Sequence, residues 1–163
     1  MTRAGFLTAA TLCMATASTA QPPAATNTVT TAIPGVVAAG TSVEVIKAGF
    51  TGTEGPIGLP DGSLIFTETQ ANRITRIDKD TGATSVFLEN TNGSNGLGFD
   101  AKGRLISVQT TPGQARIGVI HPKDAVRTIT DSFDGKPYGR PNDLGVAENG
   151  GIYFSEPGTN AVP

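Results

Sequence analysis

The chain has 163 residues and a formal charge of −2, enough length for one domain of ordinary size. With no cluster of Lys or Arg, that balance excludes a basic footprint for nucleic acid, and no apolar run reaches the roughly 18 residues of a membrane-crossing helix. Glycine (21) and proline (11) are frequent, so turns interrupt the chain at short intervals.

The first 20 residues read as an export signal. Arg3 supplies a positive start, Ala4 to Ala17 a mildly apolar stretch of small residues, and Ala15-Thr16-Ala17 and Ser18-Thr19-Ala20 suit signal peptidase. Cleavage is expected after Ala20, giving an exported protein, periplasmic or secreted, with no membrane attachment once the signal is removed. A frayed N-terminus without an export role is the alternative. Cys13, the only cysteine, lies inside this segment, and Ala10-Thr11-Leu12 before it lacks the order of a lipid-attachment box. The mature chain then has no thiol, disulfide or sulfur ligand, which is compatible with an oxidising compartment.

Residues 21–42 are rich in Ala, Thr, Pro and Val and form a low-complexity lead-in. Residues 43–163 change to short apolar runs divided by Gly, Asp and Asn, with no sustained helical period. Val43–Lys47 reads as a leading strand. Strands follow at about Gly55–Leu59, Ser63–Glu68, Arg73–Asp78 and Ala83–Leu88, then Gly96–Phe99, Leu105–Gln109, Arg116–Ile120 and Val126–Thr130. A third set begins at Asp143 and holds two strands.

These sets repeat. Leu59-Pro60-Asp61-Gly62-Ser63-Leu64-Ile65-Phe66 aligns with Phe99-Asp100-Ala101-Lys102-Gly103-Arg104-Leu105-Ile106 and with Val146-Ala147-Glu148-Asn149-Gly150-Gly151-Ile152-Tyr153. Each is a strand end, a tight turn closed by Gly, and a second apolar strand. The turn glycines stand 41 and 47 residues apart, the spacing of β-propeller blades with about four short strands each. The fold class is all-β. A propeller closes radially, usually with roughly four to eight blades. About two and a half blades cannot close, so the expectation is the N-terminal portion of a longer propeller.

Eight residues before the turn glycines stand Glu54, Asn95 and Asn142. Each opens the first, innermost strand of its repeat, so the three side chains are expected near the axis at one face. One carboxylate and two amide oxygens suit a hard divalent cation, with water completing its shell. A thiolate site is excluded for want of Cys. A single Asn or Glu here would more often cap a strand or bond a turn; three at one phase favour a shared point. Six residues after the turn glycines stand Glu68, Gln109 and Glu156. They either support the inner donors as a second ring or are ordinary polar residues leaving a strand. His121, the only His, belongs to an outer turn and is read as structural or solvated.

Thr53-Glu54-Gly55-Pro56, Asn72-Arg73-Ile74, Ser94-Asn95-Gly96-Leu97-Gly98-Phe99-Asp100, Arg140-Pro141-Asn142-Asp143-Leu144 and Tyr153-Phe154-Ser155-Glu156-Pro157 together resemble the SMP-30/gluconolactonase/regucalcin family of six-bladed propellers. The resemblance runs from about Val43 to the end. It implies a divalent metal on the axis, Ca²⁺ foremost with Mg²⁺ or Zn²⁺ open, and hydrolysis of sugar-type lactones. In that reading Glu54 and Asn142 are metal ligands, and Arg140, Asn142 and Asn95 contact the substrate. The metal polarises the ring carbonyl while a carboxylate accepts a proton from water. The family's further Asn and Asp, the Asp being the usual candidate base, have no counterpart before Pro163. The catalytic base is therefore unassigned and this chain alone is expected to be inactive. Ser155-Glu156 in place of Thr-Asp, and Thr110-Thr111-Pro112-Gly113 in place of a Gly/His-containing hairpin, put the substrate rather than the fold in doubt. The competing class is a propeller that binds a ligand or partner without catalysis, and an open edge invites pairing with another chain.

Overall fold

Three copies of one turn set the strands. Gly62, Gly103 and Gly150 close them with φ of 85°, 71° and 85°, a region costly for any residue with a Cβ. Each glycine N–H donates three residues back, to Leu59 O (2.9 Å), Asp100 O (2.9 Å) and Ala147 O (2.8 Å). In each, a side-chain oxygen of Asp61, Asp100 or Asn149 accepts a main-chain N–H two residues on, at 2.9 Å. Such a turn returns the chain antiparallel to itself.

The computed structural model describes residues 28–158. The expected signal with Cys13 and the start of the lead-in lie outside the described residues. Residues 46–158 build antiparallel meanders. The first sheet is β1 (Thr53–Gly58), β2 (Leu64–Glu68), β3 (Arg73–Ile77) and β4 (Thr84–Glu89), in that order. The second is β5 (Ser94–Phe99), β6 (Leu105–Gln109), β7 (Arg116–His121) and β8 (Arg127–Thr130), with a 3₁₀ turn at Lys123–Ala125. A short hairpin, β9 (Ser132–Phe133) and β10 (Lys136–Pro137), precedes the paired β11 (Leu144–Val146) and β12 (Ile152–Phe154). The strand starts and ends agree with the sequence reading to within two residues.

The sheets pack face on. Ile65, Ile74, Leu97 and Leu105 form one buried cluster with Phe87, Phe99 and Ile120 against it. Ile106, Val108, Ile117 and Val119 form another, covered by Leu144, Val146, Ile152 and Phe154. The inner three strands of the second sheet are thus buried on both faces, and every residue of β6 is buried, while β8 is largely exposed. That explains why Leu105-Ile106-Ser107-Val108 shows no polar alternation. First strands meet in succession, β1 against β5 and β5 against β11. This is a partial β-propeller: two four-stranded blades and two strands of a third.

Two features differ from the sequence reading. Val43–Lys47 forms no strand: no neighbouring strand pairs with it, and its hydrogen bonds are isolated ones. Val43 N–H donates to Thr28 O at 2.9 Å. The Lys47 ammonium donates to Thr84 Oγ1 at 2.9 Å. The β9–β10 hairpin went unread. It turns on Asp134 and Gly135 at φ 50° and 71°, an Asp-Gly pair that favours such hairpins, and it absorbs the greater length of the second repeat. Residues 28–45 form a separate unit, whose described part carries two isolated bridges, Val29 to Ser42 and Ile33 to Val37.

Candidate functional site

Glu54, Asn95 and Asn142 open the strands that touch one another. Glu54 and Asn95 also share a local distortion. The β1–β2 register shifts between Glu54 and Ile57, and the β5–β6 register shifts between Ser94 and Leu97. A bulge at one phase of two repeats re-aims the side chains it carries. Gly55 and Gly96 follow the two residues, and each lets a neighbour approach. A Cβ on Gly55 would stand 2.3 Å from Asn95 O, and one on Gly96 would stand 2.7 Å from Asp143 Cα.

Hydrogen bonds close these approaches, one from a side chain and one between main chains. Thr67 Oγ1 donates to Asn95 O at 3.1 Å, and Gly96 N–H donates to Asn142 O at 3.0 Å. Asn142 is anchored in its own sheet by its N–H to Ser155 O, 3.0 Å. The three strand openings therefore lie side by side, the first against the second at Gly55 and the second bonded to the third through Gly96 N–H.

Their side chains remain uncommitted. Among the described residues, the Glu54 carboxylate and the Asn95 and Asn142 amides form no hydrogen bond or ion pair. Glu54 is exposed and Asn142 half-buried, while Asn95 is only 7 % exposed. Thr91 Oγ1 is the single buried side-chain polar atom without a partner among the described residues, so the Asn95 amide keeps a solvent-facing edge. No three His, Cys, Asp or Glu side chains gather at one point among the described residues. One carboxylate with two amides falls outside that pattern, and its chemistry fits a hard cation.

Arg140 is exposed and its guanidinium has no partner among the described residues. Its main chain is held instead: Arg140 N–H donates to Glu156 Oε1 at 2.9 Å, and Gly158 N–H donates to the same oxygen at 3.0 Å. Pro141, between Arg140 and Asn142, is fully buried.

Glu68 and Gln109 are bonded within and beside their own sheets, not to the inner donors. The Glu68 carboxylate, 0 % exposed, accepts from Arg73 Nε (2.7 Å), Arg73 Nη2 (3.1 Å), Thr75 Oγ1 (2.5 Å) and Thr51 N–H (3.2 Å). Burial pushes its carboxyl up, but the bonds from Arg73, Thr75 and Thr51 outweigh burial and hold it below the ordinary range. Gln109 Oε1 accepts from Arg116 Nε (2.7 Å) and Asn92 Nδ2 (3.1 Å). An acceptor ending the second strand thus meets an Arg opening the third in both complete blades.

Sequence reasoning missed Asn72 as a latch. It adopts φ 53°, and its Oδ1 accepts Gly93 N–H at 2.9 Å, tying the first sheet to the loop before Asn95. A non-glycine residue between two strands where a left-handed turn is needed was the available signal.

The fold is that of a partial β-propeller, with Glu54, Asn95 and Asn142 at or just before the starts of its successive first strands. The chain belongs to the SMP-30/Gluconolactonase/LRE-like region family, whose model matches residues 52–163. It is 28 % identical over 132 residues to a gluconolactonase of Zymomonas mobilis, covering 72 % of this chain and 36 % of that protein. The X-ray structure of a protein assigned to the gluconolactonase family is 31 % identical, with TM-score 0.60 over 68 % of this chain and 38 % of that one. A gluconolactonase from Xanthomonas campestris is 26 % identical, with TM-score 0.61 over 68 % and 37 %. The chain therefore spans little more than a third of the length of these relatives.

Proposed function

We propose that this chain supplies the cation- and substrate-contacting part of a metal-dependent hydrolase of sugar-type lactones, a carboxylic ester hydrolase. One observation carries the reading: the three inner-strand openings lie side by side, Asn95 O against Gly55 and Gly96 N–H bonded to Asn142 O, and each holds an oxygen donor without a partner among the described residues. Relatives named gluconolactonase support the lactone as substrate class.

Glu54, Asn95 and Asn142 would hold the metal. An all-oxygen set with one negative charge favours Ca²⁺, then Mg²⁺, and is a poorer match for Zn²⁺. When bound, the cation supplies Lewis-acid polarisation of a carbonyl and stabilises the oxyanion that develops on it. Glu54 brings the charge that attracts the cation, and the two amides add neutral oxygens that leave the site net positive for the substrate. Arg140, whose guanidinium has no partner among the described residues, offers a fork of donors to a substrate hydroxyl or carboxylate. Glu156 and the buried Pro141 fix the main chain on which Arg140 and Asn142 sit. Glu68 is an unsuitable base, because its lone pairs are taken by Arg73, Thr75 and Thr51. Export to the periplasm or beyond is part of the same proposal and rests on residues 1–20.

Calorimetric titration with gluconolactone, before and after chelation and re-addition of CaCl₂, tests the reading. Calcium-dependent binding, weakened by Arg140→Ala and by Glu54→Gln, is the expected result. Binding indifferent to chelator and to both substitutions contradicts it. The commitment of Glu68 favours one second reading, a propeller that binds its ligand without turning it over. Acid release above the spontaneous rate, followed in a pH-stat, separates the two.

A further inference from the structure

Thr67 lies in β2 with no exposed surface, and its hydroxyl does not bond within its own sheet. It donates to the carbonyl oxygen of Asn95, in the next sheet, at 3.1 Å. The same oxygen faces the bare Cα of Gly55. The other end of that peptide unit, the Gly96 N–H, donates to Asn142 O in the third sheet at 3.0 Å. A single peptide, Asn95–Gly96, is therefore a rung whose carbonyl is gripped by the first blade and whose N–H is gripped by the third.

The repeat shows how particular this arrangement is. Five residues past each turn glycine stand Thr67, Val108 and Ser155. Val108 is buried and carries no donor. The Ser155 hydroxyl accepts Asp143 N–H from the paired strand of its own sheet at 3.1 Å. Thr67 is the one member of the three that reaches across to another blade. Its target is a peptide in the bulge, where the β5–β6 register is lost and the ladder no longer dictates the plane of the peptide.

We propose that Thr67 is a positioning residue for the oxygen-donor site. Its hydroxyl sets the plane of the Asn95–Gly96 peptide, which aims the Asn95 amide and, through the Gly96 N–H, holds Asn142 in step. The inference rests on the reading of Glu54, Asn95 and Asn142 as cation donors. Outer partners of this kind change metal affinity by about 10- to 100-fold when removed.

The test compares unsubstituted protein, Thr67→Val and Thr67→Ser by NMR without metal, then titrates each with CaCl₂ by calorimetry. Without metal, Thr67→Val shifts the Asn95 carbonyl carbon, the Asn95 side-chain amide and the Gly96 N–H, and Thr67→Ser restores them. With calcium, Thr67→Val binds about tenfold more weakly or worse while Thr67→Ser binds as the unsubstituted chain does. Asn95 and Gly96 signals that stay put in Thr67→Val, or move equally in both variants, overturn the proposal. So does unchanged calcium affinity in a folded Thr67→Val. If the unsubstituted chain takes up no calcium, the donor-site reading fails, while the metal-free spectra still decide whether Thr67 sets the peptide. Should Thr67→Val not fold, the unsubstituted protein decides: a slowly exchanging Thr67 hydroxyl proton supports the bond, and one in fast exchange with water overturns it.

Discussion

Replacing Gly96 by Ala probes the close approach on which the inner face depends. Gly96 has no positive φ, so the substitution carries no backbone penalty and reports contact alone. The new Cβ would stand 2.4 Å from Asp143 Oδ1, 2.7 Å from Asp143 Cα and 3.0 Å from Leu144 N. The side-chain oxygen can swing aside; the two backbone atoms cannot. Restoring an ordinary contact near 3.4 Å parts β5 from the Asp143 segment by roughly 0.7 Å, enough to forfeit about a quarter to a half of the dispersion energy across that seam. Overpacking of this kind costs about 1–3 kcal/mol. Gly145→Ala is the internal control, since a Cβ there meets nothing within 4 Å. It should be neutral or stabilising by about 0.4–1 kcal/mol through the unfolded chain. Urea unfolding of both variants gives the comparison, and calcium titration of Gly96→Ala should show weaker binding as Asn95 and Asn142 move apart. A Gly96→Ala protein as stable as Gly145→Ala, with unchanged cation affinity, would refute the reasoning.

Glu68→Ala leaves Arg73, Thr75 and the Thr51 N–H without their common acceptor. It should cost about 3 kcal/mol in urea unfolding. Because the folded Glu68 carboxyl titrates below its ordinary value of 4.5, its contribution is complete above that value and fades as pH falls through it toward the lower folded value. A stability profile of Glu68→Ala parallel to the parent's across that window would count against this ion pair. Glu54→Gln should abolish cation binding with no change in urea midpoint, since the carboxylate has no partner among the described residues; a lowered midpoint would show an unrecognised structural role. Asn72→Ala removes both the acceptor for Gly93 N–H and a residue tolerant of φ 53°. It should cost about 1–2 kcal/mol, read by the same unfolding assay, and a neutral result would remove the latch.

The blades were legible because a tight turn imposes residue types. Gly62, Gly103 and Gly150 mark turns no larger residue enters cheaply, and counting from them put strands and donors in phase. What stayed hidden is tertiary. The bulges at Glu54 and Asn95 leave the apolar pattern around them unaltered; their local mark is the glycine that follows each, Gly55 and Gly96, which inside a strand signals a bulge or a close approach. Position alone left Glu68 and Gln109 either a second ring beside the inner donors or ordinary polar residues leaving a strand. Their side chains turn instead to Arg73 and Arg116, which begin the next strands, a choice made by cross-strand register. Thr67 and Asn72 act across blades, and residues whose partners lie in another sheet give no periodic signal. The Asp134-Gly135 pair was a readable hairpin signal passed over because it falls between repeats. Val43–Lys47 shows the reverse error: alternation predicts a strand only where another strand lies beside it.

Calcium titration followed through the side-chain amide resonances of Asn95 and Asn142 in one sample asks directly whether donors from successive blades share one ion. The account requires both amides to shift together, with a single common midpoint, and to return on chelation. Shifts at separate midpoints, or in only one of the two, would mean that the blades do not meet around a cation.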